Sequence, residues 1–155
     1  MKPIAVALLS LTLTGCESHR PPVVTPTRPD HAVVVTVPGG VAWLDVGVAD
    51  TDVERERGLM GVTSLPADQG MAFVFPEPTR ATFWMKDTPI PLSIAFVNAE
   101  ARVVTIEEMQ PCHEDPCPTY ASSVPYTMAV EANAGWFDSM GVAVGDRATL
   151  EPIGS

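Results

Sequence analysis

The sequence has little positive charge for its length. Its 155 residues include 9 lysines and arginines against 19 aspartates and glutamates, which gives a formal net charge of −10 at pH 7. A surface that binds nucleic-acid phosphates needs a cluster of basic side chains, so this composition argues against a nucleic-acid partner. The acidity is more simply a feature that keeps a small domain soluble.

The sequence also lacks the motifs of several enzyme classes. It has no G-x-S-x-G motif for a serine nucleophile and no glycine-rich phosphate loop. The histidine inside the expected domain, His113, lies in a loop bounded by cysteines, so a Ser-His-Asp triad is not favoured. A carboxylate pair for glycoside hydrolysis remains open, since many acids are present. The sequence therefore singles out no catalytic residue and no cofactor.

The apolar run near the N-terminus, residues 4–13, is too short to span a bilayer. It follows Lys2 and precedes the tetrapeptide LTGC, which ends at Cys16. A positive start followed by a short apolar run predicts a signal peptide over residues 1–15. The tetrapeptide resembles the lipobox of bacterial lipoproteins, and this resemblance implies cleavage before Cys16 and acylation of that cysteine. An ordinary secreted protein with a chance cysteine is the alternative.

Acylation at Cys16 would anchor the protein to a membrane. The expected location is then the cell envelope, on the periplasmic face of a bacterial membrane. Residues 16–31 contain four prolines and no apolar period, so we expect them to form an extended tether. The folded domain is expected over residues 32–155.

Proline and glycine are too frequent for a helix bundle, with 16 prolines and 11 glycines in the full sequence. Short alternating apolar runs between them predict about eight β-strands and two short helices. One helix is expected from about residue 52 to 60, because Thr51 and Glu54 form a capping-box pattern, and Val53 should face inward. The second is expected after Asn133, a good N-cap residue.

Five motifs then give a family resemblance. Residues 43–150 contain, in order, RERGLMG, GMAFVFP, TFWMKDTPIPLSIAFV, PCP-x-Y and AVEANAG with a following GD. Together they resemble the DUF192 family of small bacterial and archaeal domains. The resemblance implies a mainly β fold, a β-sandwich of jelly-roll type with short helices, and it implies no activity. Two positions depart from the family pattern, which usually has Asn at Asp87 and Asp at Ser93.

The thiols beyond Cys16 are Cys112 and Cys117. An exported domain meets an oxidising compartment, so a structural disulfide is the expected state of this pair. A redox pair is less favoured, because the spacing is C-x₄-C and not C-x-x-C. A metal site using His113 and Met109 is the third interpretation, but one histidine does not complete a closed zinc site. We predict no metal.

The charged residues Lys86 and Asp87 interrupt the apolar stretch at residues 81–97. Burying a charge costs several kcal/mol unless it is paired, so this pair belongs either to a structural ion pair or to a site. In the structural interpretation, Glu131 is a solvated strand residue. In the functional one, strand ends deliver charged and aromatic side chains into one pocket. The candidates for ligand binding are Lys86, Asp87, Glu131, Arg57, Trp84, Tyr120 and Trp136.

Two functions are compatible with these residues. The first is a module that binds a small molecule, a saccharide or a protein partner, since apolar walls with a few convergent polar groups are typical of small-molecule sites. The second is a hydrolase or lyase of envelope polymers or saccharides, with Lys86, Asp87 and Glu131 as acid–base groups. The sequence favours the binding module and indicates no oligomeric state.

Overall fold

The structure, a computed structural model, describes residues 29–153. The predicted signal peptide, Cys16 and most of the predicted tether lie outside the described residues. Within the described range the chain forms nine strands and two helices. The strands are β1 (His31–Val37), β2 (Gly40–Ala49), β3 (Gln69–Thr79), β4 (Phe83–Trp84), β5 (Leu92–Val97), β6 (Val103–Met109), β7 (Thr119–Tyr120), β8 (Tyr126–Asn133) and β9 (Arg147–Pro152). The helices are α1 (Asp52–Arg57) and α2 (Trp136–Ser139), so a mainly β fold with two short helices is confirmed.

Seven of the strands form one sheet in the order β6-β5-β8-β3-β2-β1-β9, and β4 pairs with β7 separately. Neighbours in the large sheet are antiparallel except β2 and β3, which are parallel. Parallel neighbours cannot be joined by a tight hairpin, so the chain must cross over between them. Helix α1 lies in this crossover.

The two outer strands of the large sheet approach each other at one end. Arg102, just before β6, forms a bridge with Arg147 at the start of β9. The Val103 amide also donates a hydrogen bond to the Asp146 carbonyl, with an N–O distance of 2.9 Å. These contacts mean that the sheet curls almost into a barrel. The more specific expectation, a sandwich of jelly-roll type, is not confirmed by this arrangement.

The curled sheet has an apolar core on each side. The first core takes residues from all seven strands of the sheet, among them Val33, Leu44 and Val130, and it fills the inside of the curl. The second core lies on the outer face of β3, β5 and β8, where the segments after α1 and around β4 cover it. All six residues of β5 are buried, because this strand contributes to both cores.

Alternation along β8 decides which side of the sheet each of its residues faces. Val130 and Ala132 lie in the first core, and Ala129 lies in the second. Glu131 therefore points toward the second core and the segments that cover it. The neighbouring strand comes very close here, since a Cβ at Gly70 would lie 2.2 Å from the Glu131 carbonyl oxygen. Only glycine permits this approach of β3 to β8.

Helix α1 begins as predicted but is shorter. The capping box is present: the Thr51 hydroxyl accepts from the Glu54 amide, and the Glu54 carboxylate accepts from the Thr51 amide. The helix ends at Arg57, and none of its residues is buried. The expectation that Val53 faces inward is wrong, because this side chain is 75% exposed. The capping pattern locates the start of a helix, but it carries no information about which face packs against the sheet.

Candidate functional site

A cleft of about 240 Å³ lies between α1 and β4, on the outer face of the sheet; we call it the α1–β4 cleft. The buried part of its lining consists of Leu59, Phe73, Thr88 and Glu131. Exposed side chains from both walls complete the rim, namely Asp52, Glu56, Arg57 and Trp84. A charged rim above a floor that combines apolar side chains with a few polar groups is the usual construction of a small-molecule site.

The turn after α1 reaches the cleft through a glycine. Gly58 has a φ of +45°, and a Cβ at this position would lie 3.2 Å from the Cζ atom of Phe73. Three residues later, the Gly61 amide donates to the Asp87 carbonyl at 2.8 Å. This hydrogen bond joins the turn after α1 to the segment that carries Trp84, so the two walls of the cleft are held together.

Asp87 contributes to this junction through its backbone. Its φ is +55°, a left-handed conformation that Asn and Asp adopt more readily than most residues. The family resemblance places Asn at this position, and Asp87 satisfies the same backbone requirement. Its side chain is exposed and forms no salt bridge within residues 29–153. Asp87 therefore shapes the turn but does not line the cleft.

Aromatic rings support the cleft from below. Phe83 meets Phe73 edge-to-face at 5.0 Å between ring centroids, and it meets Phe96 at 5.8 Å. The Tyr126 hydroxyl donates to the Ala81 carbonyl at 2.7 Å, and burial raises the pKa of Tyr126 to about 12. Edge-to-face pairs of this kind stabilise one arrangement of rings, so the base of the cleft is preformed.

Glu131 is the unusual residue of the cleft. Its side chain is only 4% exposed, and its cross-strand neighbours are the apolar residues Met71 and Ile94. Burial raises the pKa of Glu131 to about 8, so the carboxyl group holds its proton at pH 7. The interpretation of Glu131 as a solvated strand residue is therefore wrong.

The Glu131 carboxyl group has no protein partner that accounts for its burial. The pKa of Glu131 is raised by burial, with no hydrogen bond or charge involved. Every fully enclosed polar side-chain atom within residues 29–153, by contrast, has a hydrogen bond. The Glu131 oxygens therefore keep a small exposed area, which opens into the α1–β4 cleft that Glu131 lines. An unpaired buried carboxyl group costs folding free energy, and such groups are concentrated at functional sites.

Lys86 points away from the cleft. Its Nζ atom lies 3.0 Å from the Asp115 carboxylate and 3.4 Å from the His113 carbonyl oxygen. Asp115 lies between Cys112 and Cys117, which form a disulfide bond. Lys86 therefore forms an ion pair with the disulfide loop, and an exposed pair of this kind contributes at most about 1 kcal/mol.

The disulfide loop is connected to the cleft through the backbone. The Cys112 amide donates to the Met85 carbonyl at 3.3 Å, and the Asp87 amide donates to the Cys112 carbonyl at 3.1 Å. The turn between these two bonds leads to Thr88, which lines the cleft. The loop thus supports one wall of the site from outside.

The structure brings only some of the candidate residues together. Arg57, Trp84 and Glu131 line the α1–β4 cleft, and Lys86 and Asp87 lie behind its wall. The Tyr120 hydroxyl instead accepts from the Gln110 amide at 3.1 Å. Trp136 is buried, packs against Phe137 and borders a shallow hollow near Asn133.

Sequence reasoning missed Arg55, which also lines the cleft. Its guanidinium donates to the Val74 carbonyl at 2.6 Å and to the Asp52 carboxylate at 2.6 Å. It also lies 5.1 Å from the centre of the Phe75 ring, a cation–π distance. The i, i+3 spacing from Asp52 was the available signal, but the contacts with β3 depend on the tertiary fold.

Ser93 forms part of a separate polar cluster. Its hydroxyl donates to the Glu108 carboxylate at 2.6 Å and accepts from the Gly135 amide at 2.8 Å. Glu108 is the cross-strand partner of Ser93 and also accepts from the Gly135 amide. A carboxylate is thus present beside Ser93, where the family pattern usually has Asp, and it holds the residue before α2.

Residues 29–153 lack two structural features. No group of three or more His, Cys, Asp or Glu side chains is placed to hold a metal ion. None of the helices in this range has the length and apolar character that crossing a bilayer requires.

Comparison with known proteins agrees with the motifs and the fold. The chain belongs to the DUF192 family, described as "Uncharacterized ACR", whose profile matches residues 33–150. A protein of unknown function from Novosphingobium aromaticivorans DSM 12444 has a similar structure, with 34% identity and a TM-score of 0.71. That match covers 76% of this chain and 83% of the other.

A second similar structure comes from Sinorhizobium meliloti 1021 and is described as a proposed transcription regulator. It is 31% identical with a TM-score of 0.71, and the match covers 83% of this chain and 98% of the other. No curated protein matches this chain. The family and both structures therefore establish what the chain is related to.

Proposed function

We propose that this protein is a lipid-anchored envelope protein that binds a small ligand in the α1–β4 cleft. The anchor is inferred from the sequence at residues 1–16, which has a signal-peptide pattern and a lipobox-like LTGC. Acylation of Cys16 would hold the domain on the periplasmic face of a bacterial membrane. The family match is compatible with this role and adds no activity.

One observation carries the proposal for ligand binding: the Glu131 carboxyl group is buried at the cleft with no partner. Buried carboxyl groups with a perturbed pKa in a cleft are concentrated at functional sites. In its protonated form, Glu131 both donates and accepts a hydrogen bond. The exposed indole of Trp84 at the rim supplies a flat apolar surface for the ligand.

The size of the cleft restricts the ligand. Its volume of about 240 Å³ lies below the roughly 300–1,000 Å³ of sites that bury drug-sized ligands. We therefore expect the cleft to take a molecule of a few heavy atoms, or one end group of a larger one. This includes a single group on a saccharide or peptide of the envelope.

The test is a thermal-shift screen of the mature protein in detergent against small polar and amphipathic compounds. Hits should raise the melting temperature of the wild type and of Trp43→Ala, and should have little effect on Trp84→Ala. Trp43 is the matched control, because the two indoles are 49% and 50% exposed and only Trp84 lines the cleft. Equal responses of the two variants would place binding elsewhere.

A hydrolase or lyase of envelope polymers or saccharides is the second candidate. It is favoured by one observation, that a protonated Glu131 shares the cleft with the exposed carboxylate of Glu56. A protonated carboxyl group at neutral pH is suited to general-acid catalysis. Turnover of a saccharide that is lost in Glu131→Gln would support an enzyme, whereas a binding module releases every ligand unchanged.

A further inference from the structure

We propose that the group bound in the α1–β4 cleft is a small protonated amine, whose ammonium lies against Glu131. This inference rests on the proposed function and specifies the chemical class of the ligand. Three features of the cleft support it: the charge balance of its lining, its aromatic walls and the isolation of the Glu131 carboxyl group.

The lining is electrically balanced without Glu131. Its charged side chains all come from α1, namely Asp52, Arg55, Glu56 and Arg57, and their formal charges cancel. The lining residues from β3, from residues 81–84 and at Thr88 add no titratable group. An ionised Glu131 would leave one negative charge in the cleft, which one monovalent cation would neutralise. An anionic ligand would leave the cleft more negative.

The cations already present do not reach this carboxyl group. Arg55 is held by Asp52 and by the Val74 carbonyl, and Arg57 is exposed on the rim. Burial alone accounts for the raised pKa of Glu131, so neither arginine stabilises its ionised form. The position beside the carboxyl group is therefore open to a cation supplied by the ligand.

The walls are also suited to an ammonium group. Phe73, Phe75, Phe83 and Trp84 line the cleft, and aromatic faces attract cations. The Arg55 guanidinium already uses one of these rings, at 5.1 Å from the centre of Phe75. The buried Thr88 hydroxyl offers a second acceptor for an ammonium group, which has three N–H donors.

Binding of an amine must be linked to the loss of a proton. At pH 7 roughly one tenth of Glu131 is ionised, since its pKa is about 8, and this lowers the apparent affinity for a cation about tenfold. A close desolvated charge pair raises the affinity by more than tenfold, so the ammonium group still pairs with Glu131 at pH 7. Affinity should therefore rise about tenfold per pH unit below pH 8 and level off above it.

The experiment compares n-butylamine, n-butanol and butyrate, three probes of similar shape that differ in charge. The mature protein in detergent micelles is titrated with each probe from pH 6 to 9, and the indole N–H resonances of its three tryptophans are followed by NMR. Butylamine should shift the Trp84 signal and leave the Trp43 signal in place. Its dissociation constant should follow the pH dependence given above.

Glu131→Gln and Glu151→Gln complete the test. Glutamine matches the shape of the neutral carboxyl group, so the first variant should fold but bind butylamine at least tenfold more weakly at pH 8, without pH dependence. Glu151 is exposed on β9, so its variant should bind like the wild type. Butanol or butyrate binding as tightly as butylamine would overturn the amine and leave the cleft proposal standing. A Trp84 signal unmoved by all three probes would overturn both.

Discussion

At the scale of single residues, the structure separates Lys86 from Glu131, two residues that the sequence suggests together as candidates for one site. Lys86 stands out because it interrupts an apolar stretch, but its partner Asp115 lies 29 positions further on. Glu131 is ordinary in sequence, and its importance comes from apolar residues of two neighbouring strands. Strand alternation predicts that Glu131 faces one side of β8, whereas what covers that side depends on the tertiary fold.

Glu131→Gln should change how stability depends on pH. The pKa of Glu131 is raised from 4.5 to about 8 by burial, so between these values the folded chain keeps a proton that the unfolded chain releases. This makes the wild type progressively less stable as pH rises from about 4.5 to 8, by up to several kcal/mol. The variant lacks this loss. It should match the wild type at pH 4 and melt several degrees higher at pH 9.

Thermal unfolding of both proteins across this range measures the effect. The difference between their melting temperatures isolates Glu131, because every other group titrates alike in the two chains. Parallel curves for the two proteins from pH 4 to 9 would mean that the pKa of Glu131 is the same in the folded and unfolded chains, and would remove the basis for its role.

At the scale of elements, short local patterns predict where elements begin but not what they contact. Thr51 and Glu54 locate the start of α1. Distant parts of the chain, however, decide that Val53 is exposed and that Arg55 contacts β3. Similarly, Asn133 ends β8, and α2 starts behind Gly135. Asn133 does not cap this helix, because its side-chain amide donates to the carbonyls of Leu65 and Pro66.

Removing the disulfide should destabilise the domain and loosen the wall of the cleft. In the chain-entropy account, a closed loop of six residues stabilises by about 2 kcal/mol, and Cys112 holds both ends of the turn before Thr88. The double variant Cys112→Ser/Cys117→Ser should therefore unfold at lower denaturant concentration. The wild type treated with a reducing agent should show a similar decrease. Equal midpoints in all three samples would show that the bridge adds nothing to stability.

At the scale of the whole molecule, the sequence predicts the strand content and the family but not the closure of the sheet. The contacts between Arg102 and Arg147, and between Val103 and Asp146, join segments more than 40 positions apart. The periodicity of apolar residues in the sequence does not predict pairings between such distant segments. The sandwich suggested by the family resemblance and the curled sheet both need strands with apolar faces, so composition does not distinguish them.

Cys16→Ser tests the membrane anchor of the whole chain. A thiol is needed for acylation, so the variant should move from the membrane fraction to the soluble fraction after cell lysis. The domain itself should be unchanged, with the same melting temperature as the detergent-solubilised wild type. A variant that still sediments with membranes would argue against the lipid anchor and favour another mode of attachment.

Helix α1 contributes no buried side chain of its own. It is secured by the Arg55 contacts and, just beyond its end, by the hydrogen bond from Gly61 to Asp87. Segments with few buried apolar contacts open at a lower free energy than core strands. We therefore expect α1 to open more readily than the strands at the base of the cleft, which would let the proposed ligand enter while Glu131 keeps its position.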